Sequence, residues 1–395
     1  MQYDVNMLKK LTMLAGIAIV SLMIFWAPFL IRIDEFWGIE FPSTNSGQVG
    51  METIVQNFDG LNYLVVAKSL YKPEVIEKIN QSFLTGNDPL YFTAHYPGLP
   101  LIIRLLDNYM TGPQAILASI IISNLLLTFG LYLFYLAYAK KSKLAGYLTV
   151  VALFLPARML SDRMVGSNEP MFMALVFLSL YLASRKRYWL SAVAGSLSIV
   201  TRSPGILLFG GYVVSTWLVV RGTWQEKIKR LLPYLLMPLT LVGVWMFYGY
   251  QHGNLLAYFQ SGVSMNIHFP PFSVFGTNQE WVSGMWREEI IYIYLLFGLG
   301  LLSLKNKLGE RLDFARMATL SYGVIYLISI LFVAHRDVAR YSLPIAPLVI
   351  LGFESYLDNV WVKRLLLILV IPIYLLGWQF VLQNVQPVAD WSGLL

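Results

Sequence analysis

The chain has 395 residues, of which 57% are hydrophobic and only 13% charged, with a mean hydropathy of +0.61. Those proportions exclude a soluble fold and place most of the chain in a bilayer. The formal charge of +7 and the pI near 9.3 call for no nucleic-acid partner, because basic flanks of membrane helices face anionic lipid. With no cysteine in the chain, disulfides and thiol catalysis are excluded.

The first apolar run, Leu11 to Ile31, follows Lys9-Lys10 and is longer than a signal-peptide core, so it is expected to stay as a transmembrane helix. Residues 32–113 then mix Pro42, Gly47, Gly50, Gly60 and Pro73 with two amphipathic stretches, Met51 to Asn57 and Leu61 to Leu70. That pattern predicts short helices lying along the outer membrane interface. Runs at Ala115 to Ala139, Leu231 to Tyr250, Ile290 to Leu304, Met317 to Ala334 and Leu365 to Val381 are each roughly long enough to cross a ~30 Å hydrocarbon layer. Shorter runs, Leu144 to Leu155, Met171 to Ala183, Leu190 to Val200, Ile206 to Val220 and Tyr341 to Tyr356, need tilting or burial inside the bundle. The expected fold class is an all-α polytopic membrane protein: one integral domain over 1–395, about eleven transmembrane helices, and two larger extracytoplasmic loops, 32–113 and 251–288.

Basic residues orient this bundle. Lys9-Lys10, Lys140-Lys141-Lys143, Arg185-Lys186-Arg187, Arg221 with Lys227-Lys229-Arg230, Lys305-Lys307-Arg311 and Lys363-Arg364 alternate with the remaining loops. A positive-inside arrangement then gives a cytoplasmic N-terminus. The remaining polar groups fall together at the outer face: Asp34-Glu35, Asn57 to Gly60, His95-Tyr96-Pro97, Arg158 to Glu169, Thr201 to Pro204 and His335 to Arg340. Such clustering suggests a reaction centre.

Phe58-Asp59-Gly60-Leu61-Asn62-Tyr63, running to Ala67 and followed by Leu70-Tyr71, resembles the Trp-Asp-Gly-x-x-Tyr/Phe-x-x-x-Ala...Gly-Tyr signature of the GPI mannosyltransferase II family and its prokaryotic relatives. Phe58 replaces the usual tryptophan, and only the tyrosine of the final pair is kept. Further pieces arrive in family order. His95 to Arg104 resembles the Phe-Pro-Leu-Tyr-Pro-Leu-Leu-Ile-Arg stretch, Ser167 to Phe172 the Tyr-Thr-Glu-Ser-Leu-Phe helix start, and Thr201 to Gly205 the Thr-Arg-Pro-x-Gly block. Tyr248 to Phe259 resembles the Tyr-Gly-Asp...Phe element, and Arg340 to Pro347 the Arg-Phe/Tyr-x-Leu-Pro-x-x-Pro ending.

The resemblance implies a GT-C glycosyltransferase fold and a donor hexose, mannose by the family's pattern, carried on a polyprenyl phosphate at the extracytoplasmic face of a prokaryotic plasma membrane. The acceptor would be a glycolipid, a glycan or a protein. Transfer of this kind needs a carboxylate to activate an acceptor hydroxyl and cations to stabilise the departing phosphate. Asp59, on a Gly-flanked turn, is the expected base, with a helix N-cap as its plain structural role. Asp34 and Glu35, at the end of the first helix, are its rivals. Arg202 and Arg340 lead for the phosphate, since a guanidinium offers a planar fork to its oxygens. Snorkelling into headgroups is their plain alternative.

His95 is expected to bond a donor phosphate or acceptor hydroxyl. Arg158, Arg163, His335 and Arg336 form a second phosphate tier, and Tyr63, Tyr96, Asn168, Glu169 and Tyr341 complete the substrate-binding set. Four dispersed histidines make no tight metal site, so no obligatory cofactor is expected; a divalent cation near Asp88, His95 and Glu169 stays open. Trp37, Trp281, Trp286 and Trp378 read as interface belt. The competing classes are a lipid or sugar flippase, which calls for mid-membrane charge and an internal repeat, and a non-catalytic scaffold. No repeat is visible.

Overall fold

The computed structural model describes residues 2–41, 50–83, 86–261, 267–278, 282–309 and 312–395. Pro42, Gly47, Trp281 and Arg311 lie outside that set. Among the described residues, the one sheet is a two-residue hairpin pairing Glu35 with Glu40 and Phe36 with Ile39; helices form the rest of the frame.

Among the described residues, four helices are long and apolar enough to cross a membrane: Met7–Ile31, Gly112–Tyr138, Trp224–His252 and Val360–Leu382. Shorter apolar helices stand among them, including Glu169–Ser184, Tyr188–Thr201, Ser203–Val219 and Phe314–Ile330. Gly112–Tyr138 packs along Glu169–Ser184, which packs in turn on Tyr188–Thr201, while Ile206–Val219 lies against Phe314–Ile330. In lipid such pairing has no hydrophobic drive and depends on close backbone approach. Gly130 provides it: a Cβ there would stand 2.6 Å from the carbonyl oxygen of Ala174.

The helices separate two polar ends. Glu169–Ser184 runs about 24 Å at 1.5 Å per residue, from Glu169 at one end to Arg185 at the other. At the Arg185 end the basic flanks gather: Lys141 and Lys363 reach Asp358 at 3.4 and 2.7 Å. Lys307 pairs with Glu354, and the Arg230 guanidinium lies 4.1 Å from the Tyr188 ring centre.

Three expectations change. The stretch Leu61 to Leu70 is not an interfacial helix. Gly60–Ser69 is buried over nearly its whole length, because Gly98–Asp107 and Pro73–Asn80 pack onto it; Gly98–Asp107 instead carries the two-sided pattern, with Leu99 and Ile103 buried and Leu101 and Leu105 exposed. Trp378 belongs to the core, packed on Phe25 and donating to its carbonyl oxygen at 2.8 Å. The run Tyr341 to Tyr356 is broken into Val338–Ser342, Ala346–Gly352 and Glu354–Leu357, since Pro344 and Pro347 each remove a backbone donor.

Candidate active site

The site is built on the turn Asn57-Phe58-Asp59. The buried Asn57 amide donates to the carbonyl oxygens of Thr53 at 3.0 Å and Val381 at 2.7 Å, fastening the turn to the end of the last helix. Phe58 takes a left-handed backbone, φ +51°, a conformation that costs a non-glycine residue about 1 kcal/mol or more and persists where packing holds it. Its ring supplies that packing by stacking on Phe380 at 5.4 Å.

Asp59 follows at the mouth of Gly60–Ser69, yet its side chain makes no cap hydrogen bond, so the plain capping role does not describe it. Gly60 and Gly166 bring the turn against the segment before Glu169: a Cβ on Gly166 would lie 2.5 Å from the Gly60 Cα. A second such contact sets His95, because a Cβ on Gly98 would lie 2.8 Å from the Thr201 Cα, pressing the His95-Tyr96-Pro97 segment onto the helix end that carries Arg202.

Arg340 sits between two carboxylates. Its Nε and Nη2 donate to Glu169 at 2.6 and 3.0 Å, a bidentate fork, and Nη2 also donates to Asp59 at 3.0 Å. Arg202 donates to Glu169 Oε1, the oxygen that also accepts from Arg340 Nε; Glu169 is fully buried, and its Oε2 accepts from Ser167 as well. His95 Nε2 lies 3.5 Å from Asp59. Burial acts to raise the Asp59 pKa, but the Arg340 charge and then His95 outweigh it and hold the carboxyl well below the usual range. Asp59 is therefore ionised, and its basicity is governed by Arg340.

Behind this layer, Arg158 bonds Asp337 at 2.5 Å and faces Asp162 at 3.3 Å. Its guanidinium lies 3.4 Å from the Phe380 ring centre and 5.1 Å from that of Phe58. Asp162 is completely buried and neither oxygen has a hydrogen-bond partner. Burial pushes its carboxyl up to about 8, with the Arg158 and Arg340 charges opposing and those of Glu169 and Asp337 adding. Asp162 and Asp337 were not among the expected site residues, although Arg158-x-x-x-Asp162 and Asp337-x-x-Arg340 have helix-face spacing.

A cavity of about 1280 Å³ opens on this cluster, with Asp59, Asn168, Arg202, Arg340 and Tyr341 in its walls. Tyr63, Tyr96, His95, His335 and Arg336 also line it. Tyr341 lies 5.6 Å from the Arg202 guanidinium and edge-on to His335, whose pKa burial lowers. Asn168 donates to the Thr201 carbonyl oxygen at 3.1 Å. Trp286, expected in the belt, lines the cavity and donates to the Arg336 carbonyl oxygen at 2.9 Å.

Asp34 and Glu35 are not brought to this cavity. They sit exposed on the hairpin after the first helix. Arg163 is also elsewhere: expected in a loop, it is completely buried between helices, donating to Leu153 O at 2.8 Å, Asn124 Oδ1 at 2.8 Å and Ser21 Oγ at 2.7 Å. The segment carrying it dips inward, so loop position misled. Among the described residues, no three His, Asp or Glu side chains group as metal ligands; Asp88 caps the turn Pro89–Ala94, and the cluster carboxylates face guanidinium groups.

No family model matches the chain, and no curated protein matches it. Among solved structures it is similar to the archaeal oligosaccharyltransferase AglB from Archaeoglobus fulgidus, in complex with an inhibitory peptide and a dolichol-phosphate. The TM-score is 0.56 at 11% identity, covering 96% of this chain and 57% of that one. The Archaeoglobus fulgidus oligosaccharyltransferase in complex with Zn and sulfate matches with TM-score 0.54 at 12% identity, covering 96% and 54%. The chain thus spans a little over half the length of these enzymes, and over that span it shares their fold.

Proposed function

We propose that the protein is a GT-C glycosyltransferase that moves a hexose from a polyprenyl-phosphate donor to a lipid or glycan acceptor at a membrane face. The observation that carries this reading is the shared fork of Arg340 between Asp59 and Glu169, with Arg202 beside it, opening on a cavity large enough for two substrates. Mannose as the sugar, about eleven membrane passes, a cytoplasmic N-terminus and an extracytoplasmic site in a prokaryotic plasma membrane follow from the sequence resemblance and the basic flanks.

In the reaction, Asp59 accepts the proton of the acceptor hydroxyl, whose oxygen attacks C1 of the donor sugar from the face opposite the phosphate. The C1–O bond to phosphate breaks, its electron pair leaves with the phosphate, and the configuration at C1 inverts. The phosphate passes from one negative charge to two as it departs. Arg202 and Arg340 meet that growing charge in a site sheltered from water, where fixed donors count most. As Arg340 turns toward the phosphate it releases Asp59, whose proton affinity rises when the proton must be taken. Glu169 keeps both guanidiniums aimed in the meantime. No step is assigned to a cation.

The test is release of polyprenyl phosphate from synthetic polyprenyl-phosphate hexoses by purified protein in lipid, with membrane glycolipid extract as acceptor source and with and without chelator. Asp59→Asn is expected to lower transfer about 10²–10⁴-fold, whereas Asp34→Asn leaves it within about twofold, because Asp34 is exposed and is not in the cavity lining. The reverse pattern moves the base to the hairpin. Saturable donor binding with no consumption, together with donor appearing across the bilayer, replaces the transferase by a flippase.

A further inference from the structure

One wall of the cavity takes no part in the charge cluster. Tyr96, Trp245 and Tyr258 converge there from three separate segments. Trp245 stacks on Tyr258 at 5.4 Å and donates from Nε1 to the Tyr96 hydroxyl at 3.0 Å, and Tyr96 meets Tyr258 edge-on at 5.7 Å. Tyr96 is the chain neighbour of His95, one ~3.8 Å Cα step away, so the aromatic wall begins beside the carboxylate of Asp59.

Two polar side chains next to it keep unused hydrogen-bonding atoms. Asn62 and His95 are 5% and 6% exposed, both border the cavity, and neither Asn62 Oδ1 nor His95 Nδ1 has a partner. Buried polar atoms without partners are costly and are normally satisfied by water or ligand. Asn62 stands one helical turn beyond Asp59, with its amide nitrogen 3.4 Å from His95 Nε2.

We propose that this wall is the subsite of the acceptor's reacting sugar, so that the acceptor is a saccharide. The inference rests on the transferase reading above. A pyranose has an apolar CH face that packs on rings such as Trp245 and Tyr258, and a rim of hydroxyls that can donate to Asn62 Oδ1 and bond His95 Nδ1 in either sense. Seated so, one hydroxyl of that rim lies toward Asp59.

The experiment offers one polyprenyl-phosphate hexose to the full chain in lipid nanodiscs, with either a lipid-linked oligosaccharide or short peptides carrying Ser, Thr and Asn. Wild type is compared with Trp245→Ala, Trp245→Phe and Asn62→Ala, each checked for an unchanged elution profile. Transfer to the oligosaccharide is expected, with acceptor KM raised about tenfold by Trp245→Ala and largely restored in Trp245→Phe. Asn62→Ala is expected to raise it about fivefold, and donor KM stays within about twofold in all three. Transfer to peptide in place of oligosaccharide overturns the inference, and so does an effect confined to donor KM. Absence of donor binding removes the transferase reading itself, which separates the two failures.

Discussion

Arg163, completely buried, and Arg340, partly buried, are both arginines held inside the fold, and they have opposite surroundings. Arg163 spends its donors on neutral acceptors, Leu153 O, Asn124 Oδ1 and Ser21 Oγ, each at 2.8 Å or less. Arg340 faces Asp59, Glu169 and Asp162 at once, and the cavity besides. A guanidinium tied to neutral oxygens of three helical segments is a clamp. One shared among crowded carboxylates can be re-aimed when a new anion arrives, because its partners already compete for it. Enclosure alone therefore does not distinguish the two arginines; competition among their partners does.

That contrast can be broken by substitution. Arg340→Gln is expected to cost about 10²–10³ in transfer rate, and Arg340→Lys, which keeps the charge and loses the fork, to fall between it and wild type; equal rates in all three proteins would return Arg340 to a structural role. Arg163→Met is expected to cost about 2–5 kcal/mol of stability by leaving buried acceptors unmet, seen as a lower unfolding midpoint in detergent. The molecules that stay folded should keep their donor KM. Gly166→Ala forces the Asp59 turn from its neighbour and is expected to lower transfer about 10–10²-fold with little change in donor binding.

The smallest effect sharpens the comparison inside the cluster. Asp162, with a pKa raised to about 8, holds its proton more tightly folded than unfolded. Its contribution to stability is full below its ordinary carboxyl range and is lost as pH climbs through about 8. Asp59 has the opposite sign: its lowered pKa gives stability that is present above the ordinary carboxyl range and lost on acidification. Unfolding midpoints measured between about pH 5 and 9 should thus decline less in Asp162→Asn than in wild type, while Asp59→Asn leaves that alkaline decline in place.

Much of this arrangement could be read from the chain. Asp59, His95, Glu169, Arg202 and Arg340 lie as far apart as 281 positions, yet motif order and one-sided charge assigned them to one face, and the structure gathers them at one cavity. Arg163 could not be separated from Arg158 by sequence, since both lie in a short polar stretch and only the inward dip of that stretch distinguishes them. The stretch Leu61 to Leu70 reads as interfacial because its pattern is amphipathic within a Pro- and Gly-containing segment; the burial of Gly60–Ser69 is a tertiary fact. Asp162 has Arg158 one helical turn away, a spacing visible in the chain, but Arg340 reaches it only across the fold. Glu169, expected in the substrate-binding set, has its oxygens engaged by two arginines and a serine.

The turn bearing Asp59 is fastened late. Asn57 holds the carbonyl oxygen of Val381 and bridges Val385, Gln386 donates to the Gln56 carbonyl oxygen at 2.8 Å, and Val388 bridges Phe83. Contacts of such long sequence separation form only after the intervening chain exists. During synthesis, therefore, the carboxylate leaves the ribosome early and has no fixed bearing until more than three hundred further residues have been made and the last helix inserted. A nascent chain that has passed Arg340 but not Val388 carries Asp59, Glu169, Arg202 and Arg340 without the strap that fixes the Asp59 turn.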